Sequence, residues 1–116
     1  MIMIIDDDKE WVKYYENLLQ DFELESYRDC VDAIGRMAEK APDLVILDIL
    51  LVGPTGFSIL NEMQSYPDLS QVPVMIISSV ELGSSDLHKY GVVKVFNKST
   101  MLPADILCSV KEYVNA

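Results

Sequence analysis

Four stretches of the sequence end an apolar run on a residue with usable chemistry. Met1 to Ile5 runs into Asp6, Asp7 and Asp8; Leu44 to Leu47 ends on Asp48; Val74 to Ile77 ends on Ser78 and Ser79; Val92 to Phe96 is followed closely by Lys98. If the fold brings these ends together, the carboxylates of Asp6, Asp7 and Asp48 share one small pocket. Their repulsion then forces at least one to keep a proton unless a cation intervenes. Carboxylate and carbonyl oxygens with water suit a hard ion such as Mg2+. Lys98 adds a mobile ammonium with three donors and Ser78 a hydroxyl, both suited to phosphoryl oxygens. A plainer reading stands beside this one, in which Asp6 to Asp8 are a solvated turn that caps a helix. Asp48 still needs a partner because it interrupts an apolar run, and Lys98 serves as that partner in a metal-free fold.

The elements that must position these residues follow from periodicity. A strand over 1–5 leads to helical spacing from Lys9 to Phe22, carried by Trp11, Tyr14, Tyr15, Leu18, Leu19 and Phe22 with Asp8 as cap. Alternation over 22–27 predicts a second strand. Asp29 then precedes a helix carrying Val31, Ile34, Met37 and Ala38 that stops at Pro42. The pattern repeats with a strand over 44–47, a helix over 57–66, a strand over 74–77 and a short fourth helix over 82–90 ended by Gly91. A strand over 92–96 and a fifth helix over 103–114 with Pro103 in its first turn complete it. Runs such as 44–47 and 74–77 lack polar alternation, so the strands belong to a parallel sheet covered on both faces: a (βα)5 doubly wound α/β domain. In such sheets, functional groups gather beyond the carboxyl ends of the strands, which is where the four chemical positions fall.

Composition limits the alternatives. The 116 residues, half of them hydrophobic and 24% charged, predict one domain spanning 1–116. Nine Lys+Arg against nineteen Asp+Glu give a net charge of −10, which disfavours nucleic acid and anionic membranes as direct partners. The most apolar window, Leu44 to Val52, contains Asp48 and is far short of the roughly 20 residues of a membrane span. Cys30 and Cys108 show no CxxC or Cys/His spacing, so they are expected as buried thiols without function in a reducing cytoplasm. His88, the sole histidine, falls in the weak fourth helix and is given a surface role.

Taken in order, the segments Ile4 to Asp8, Pro42 to Asp48 with Gly56 beyond it, Pro73 to Ser79, and Lys98 resemble the receiver domain of two-component response regulators nearly end to end. The resemblance implies a flavodoxin-like, CheY-like three-layer sandwich around a five-stranded parallel sheet. It also implies that Asp48 is the phosphoacceptor and that Asp6, Asp7, Asp48 and the main-chain carbonyl of Leu50 hold Mg2+. Ser78 then bonds the phosphoryl group and Lys98 pairs with it. The implied partners are a sensor histidine kinase or phosphotransfer protein, docking at the first helix, and a downstream target or output domain. A homodimer through the fourth helix, fifth strand and fifth helix is a further expectation. An exposed edge at Trp11 or Val12 would suit the kinase interface.

Several positions depart from the family pattern. Val52 stands where the family usually has proline, with Gly53 and Pro54 following. Ser99 follows Lys98 where the family has proline after a cis bond, and a cis bond before a non-proline costs about 2.5–4 kcal/mol. Val95 occupies the place of the aromatic that turns inward on activation, which excludes a rotating-ring switch there. Leu50 and Val80 flank the expected path of the hydrolytic water without a group to orient it, which predicts slow self-dephosphorylation. The main rival is a pseudo-receiver, the same fold used as a phosphorylation-independent interaction module. A flavin- or nucleotide-binding protein of similar topology would need a phosphate cradle after the first strand, where Asp6 to Asp8 repel phosphate. With no segment after the fifth helix, output is expected to come from elsewhere, as a stand-alone regulator or part of a longer protein.

Overall fold

The computed structural model describes residues 1–48, 56–79 and 87–114. Five strands, β1 (Ile2–Ile5), β2 (Leu24–Tyr27), β3 (Leu44–Asp48), β4 (Val74–Ser78) and β5 (Val92–Asn97), form one parallel sheet in the order β2-β1-β3-β4-β5. The helices are α1 (Lys9–Leu18), α2 (Cys30–Glu39), α3 (Gly56–Gln64) and α4 (Pro103–Tyr113), with a short 3-10 helix at Leu87–Tyr90. The doubly wound α/β architecture expected from the sequence is the one observed.

Each central strand is buried on both faces, and its residues divide by parity. Met3, Ile5, Val45, Leu47, Val74 and Ile76 pack with Ala33 and Met37 of α2 and Ile59, Leu60 and Met63 of α3. Ile2, Ile4, Leu44, Ile46, Met75 and Ile77 pack on the other side with Tyr15 of α1 and Ile106 and Val110 of α4. At roughly 25 cal/mol per Å2 of apolar surface removed from water, these two layers are the main driving force for the sheet. Parity also aims the site. Asp6 continues the Ile2, Ile4 series and Asp48 the Leu44, Ile46 series, and β1 pairs with β3 in the register Ile5 to Leu47, so both carboxylates leave the sheet side by side on the α1 and α4 face.

Element limits and helix phases depart from periodicity in a few places. α1 ends at Leu18, not Phe22, because Leu19 leaves the helical conformation and the Phe22 N–H turns back to the Leu19 carbonyl. β2 accordingly starts at Leu24. In α2 the buried face carries Ala33 and Met37, with Cys30 and Ile34 packed beside it, which rotates Val31 outward to 81% exposure and leaves Ala38 exposed. Cys108 is exposed and Cys30 half-buried, contrary to the expectation of two buried thiols, because Ile106, Ser109 and Val110 take the sheet-facing side of α4. The fourth helix expected over 82–90 is the single 3-10 turn Leu87–Tyr90, with 82–86 outside the described residues. Among the described residues no helix is long and apolar enough to cross a membrane.

Candidate functional site

Asp6 and Asp48 are nearly inaccessible, at 2% and 7% exposure, and one ammonium serves both. Lys98 Nζ donates to Asp48 Oδ2 at 2.8 Å and to Asp6 Oδ2 at 3.3 Å. The other oxygen of Asp6 accepts from the Asp8 N–H at 2.9 Å, while Asp8 itself caps α1 by accepting from the Glu10 N–H. Within the acidic run Asp8 thus caps the helix, while Asp6 is buried and joins Asp48 at the Lys98 ammonium.

The charge balance within this group is uneven. Burial pushes the Asp6 carboxyl above its ordinary value, and the Asp8 N–H and the Lys98 charge pull it back only in part. Burial also works against the charged form of Lys98, but its hydrogen bond to Asp48 and the two carboxylate charges outweigh that and leave it raised. Two carboxylates against one ammonium leave an excess of negative charge in a dry place, a setting whose chemistry suits a hard divalent cation. Asp7 is exposed at the rim, where with Asp6 it borders a depression of about 260 Å3 between α1 and the ends of β1 and β2. Among the described residues no three carboxylate, imidazole or thiol groups are gathered as a metal site. The donor chemistry of Asp6, Asp7 and Asp48 fits Mg2+; Leu50, whose carbonyl was expected to complete the set, lies outside the described residues, as do Val52, Gly53, Pro54 and Val80.

Ser78 ends β4 fully buried, and its carbonyl accepts from the Lys98 N–H at 2.8 Å, tying the lysine to the β4 end. Among the described residues no peptide bond is cis, so Lys98 reaches the carboxylates with a trans bond to Ser99. Asn97 builds the turn instead: its side-chain oxygen accepts from the Ser99 N–H at 2.8 Å, and its carbonyl accepts from Thr100 and Met101. Val95 is 37% exposed on β5.

Two aromatic residues have a closer relation to this group than spacing alone indicated. Trp11 is half-buried, with Lys98 Nζ 5.0 Å from its ring centroid. Tyr15 is fully buried, its hydroxyl makes no hydrogen bond among the described residues, and burial together with the Asp6 and Asp48 charges raises its pKa. Helical spacing marked Tyr15 as core and left Trp11 or Val12 as an exposed edge; Trp11 and Val12 are both half-buried, and spacing carried no signal that Trp11 would face the lysine.

A family model described as the response regulator receiver domain matches residues 2–103. Response regulator PleD of Caulobacter vibrioides is 26% identical over 82 residues, 69% of this chain and 18% of that protein, so the chain spans under a fifth of that relative's length. The polar-differentiation response regulator DivK of Brucella anthropi is 20% identical over 116 residues, covering 97% of this chain and 94% of that protein. The crystal structure of the Mn2+-bound form of response regulator Rcp1 superposes with a TM-score of 0.76 at 21% identity, over 97% of this chain and 91% of that one.

Proposed function

The chain belongs to the response regulator receiver domain family of two-component signalling, and on that premise we propose that it is a phosphoacceptor whose acceptor is Asp48. The Asp48 carboxylate attacks the phosphorus of a phosphohistidine on a sensor histidine kinase or phosphotransfer protein. An oxygen–phosphorus bond forms in line as the phosphorus–nitrogen bond breaks, imidazole leaves, and an acyl phosphate remains. What supports this reading best is the placement of Lys98 Nζ, 2.8 Å from Asp48 and 3.3 Å from Asp6 at the carboxyl ends of the strands.

Asp6, Asp7 and Asp48, with the Leu50 carbonyl, are the residues that would hold Mg2+; when bound, the ion supplies positive charge to the phosphoryl oxygens. The Mn2+-bound form of Rcp1 accords with a divalent ion in this fold. Lys98 turns its ammonium from the carboxylates to the transferred group, and Ser78 donates its hydroxyl. That group adds roughly −1.5 to −2 of charge. Drawing Ser78 and Lys98 toward it repositions the segments after β4 and β5, which changes the surface offered to a downstream protein. With valine at 95 this change does not use a rotating ring, and with leucine two positions after Asp48 and valine two after Ser78, neither of which can orient water, the acyl phosphate is long-lived. The domain is a signalling module in the cytoplasm that turns over no external substrate.

A pseudo-receiver is the second reading, favoured by the Lys98 bridge, which already gives both buried carboxylates a counter-charge without metal. Intact-protein mass after incubation with acetyl phosphate and Mg2+ decides between them. A gain of one phosphoryl group that is lost in Asp48→Asn and in chelator supports the phosphoacceptor. No gain in folded protein overturns it in favour of the pseudo-receiver.

A further inference from the structure

A lysine side chain has many rotamers, and Lys98 follows directly on a strand end, in a turn. Its ammonium is nonetheless held to two acceptors at once. The ring of Trp11 lies on another side of it, 5.0 Å away, and both residues line a groove of about 460 Å3 between α1 and the start of α4. Glu10 lines the same groove and is an alternative anion toward which the lysine could turn.

The Trp11 ring is itself fixed. Tyr14 meets it edge-on, with centroids 5.3 Å apart and planes at 80°, and Tyr15 lies under it at 6.2 Å and 33°. The two tyrosines brace each other at 5.5 Å, and Tyr15 is immobilised in the core against the sheet. Three aromatic rings in one turn of α1 therefore form a pedestal whose top presents the negative face of an indole to the ammonium.

We propose that Trp11 is a positioning residue for Lys98, its braced ring holding the ammonium over Asp48 and Asp6 rather than letting it turn into the groove. The consequence for phosphoryl transfer rests on the phosphoacceptor reading; the contact itself does not. A cation–π contact that is partly desolvated accounts for about a three- to tenfold change in a rate that depends on lysine placement.

The test is a double-mutant cycle on the rate of Asp48 phosphorylation by acetyl phosphate in Mg2+, with circular dichroism confirming that each variant is folded. Trp11→Leu is expected to slow the reaction about three- to tenfold, Trp11→Phe to recover part of that loss, and Trp11→Leu to have no further effect in Lys98→Met. Equal slowing with and without Lys98, or a Trp11→Leu rate within about twofold of the parent, overturns the proposal. If Lys98→Met does not fold, the Phe-against-Leu comparison decides: a ring face recovers rate, whereas mere bulk does not. Trp11 is the sole tryptophan, so its emission reads the contact independently of phosphorylation. Lys98→Arg, which keeps the cation but alters its shape, is expected to shift that emission. Unchanged emission overturns the contact. A parent protein that takes no phosphoryl group yet shows the emission shift rejects the phosphoacceptor reading and leaves Trp11 as the residue that places Lys98.

Discussion

Two carboxylate–cation groups in this molecule have opposite characters. On the flank of the sheet, Glu25 of β2 receives both Nε and Nη2 of Arg36 at 2.8 and 2.9 Å and the Tyr27 hydroxyl at 2.8 Å. The Arg36 hydrogen bond is the main cause, with Tyr27 next, of a Glu25 carboxyl held down to about 2. At the strand ends Asp6 and Asp48 divide one ammonium, and burial pushes Asp6 upward. The first group is satisfied by its own side chains. The second is over-supplied with negative charge, and that excess makes it receptive to a further cation or to an exchange of the lysine for a new anion.

The contrast breaks most sharply at Lys98. Lys98→Met leaves two buried carboxylates without their ammonium and is expected to cost about 3–5 kcal/mol in urea denaturation with chelator present. An unchanged midpoint would mean that the two buried carboxylates do not depend on the Lys98 ammonium. Next in size is metal addition: Mg2+ at ten times its Kd is expected to stabilise the parent by about 1.4 kcal/mol. That gain is expected to survive in Arg36→Met and to shrink in Asp6→Asn; loss in both would show that the ion acts elsewhere. Asp6→Asn in chelator is expected to be more stable than the parent by about 1 kcal/mol, since it removes the surplus charge while keeping an acceptor for Lys98.

The finest test is the pH dependence, where the two regions carry opposite signs. Glu25 lies below its ordinary value of 4.5, so its contribution is present above that pH and fades as pH falls toward about 2. Asp6 lies above its ordinary value of 3.8, so its ionised form opposes folding at neutral pH, and the penalty disappears on acidification through the carboxylate range. The stability difference between parent and Arg36→Met therefore narrows in acid as the parent loses its advantage. The difference between parent and Asp6→Asn narrows because the parent catches up. Parallel slopes in the two series would sink the distinction.

Much of this arrangement was legible in the sequence because strands and chemistry coincide. Apolar runs buried on both faces announce a parallel sheet, and Asp6, Asp48 and Ser78 each stand where such a run ends, with Lys98 just after the more exposed β5. The phase of α2 was less legible, since Val31, Ile34, Met37 and Ala38 make as good a helical stripe as the buried pair Ala33 and Met37, and packing against the sheet and α3 selects between them. Asp7 illustrates another limit. Its identity matches that of Asp6, but one more step along the chain carries it out to solvent. Trp11 was legible as an aromatic on an apolar stripe and not as the neighbour of a lysine late in the chain, because no local pattern encodes a contact between α1 and the turn after β5.

The hydrogen bond from Lys98 to Asp6 joins positions 92 residues apart, so nearly the whole chain lies inside the loop it closes. A cut anywhere between Asp48 and Lys98 puts both carboxylates on one piece and the ammonium on the other. Two such pieces of this domain, expressed separately, would reconstitute a competent Asp6, Asp48 and Lys98 group only by reassembling the sheet, which makes the centre a reporter of fragment complementation. The chain is accordingly suited to being split between α3 and β4, with β5 and Lys98 on the second piece returning the shared ammonium to the carboxylates of the first.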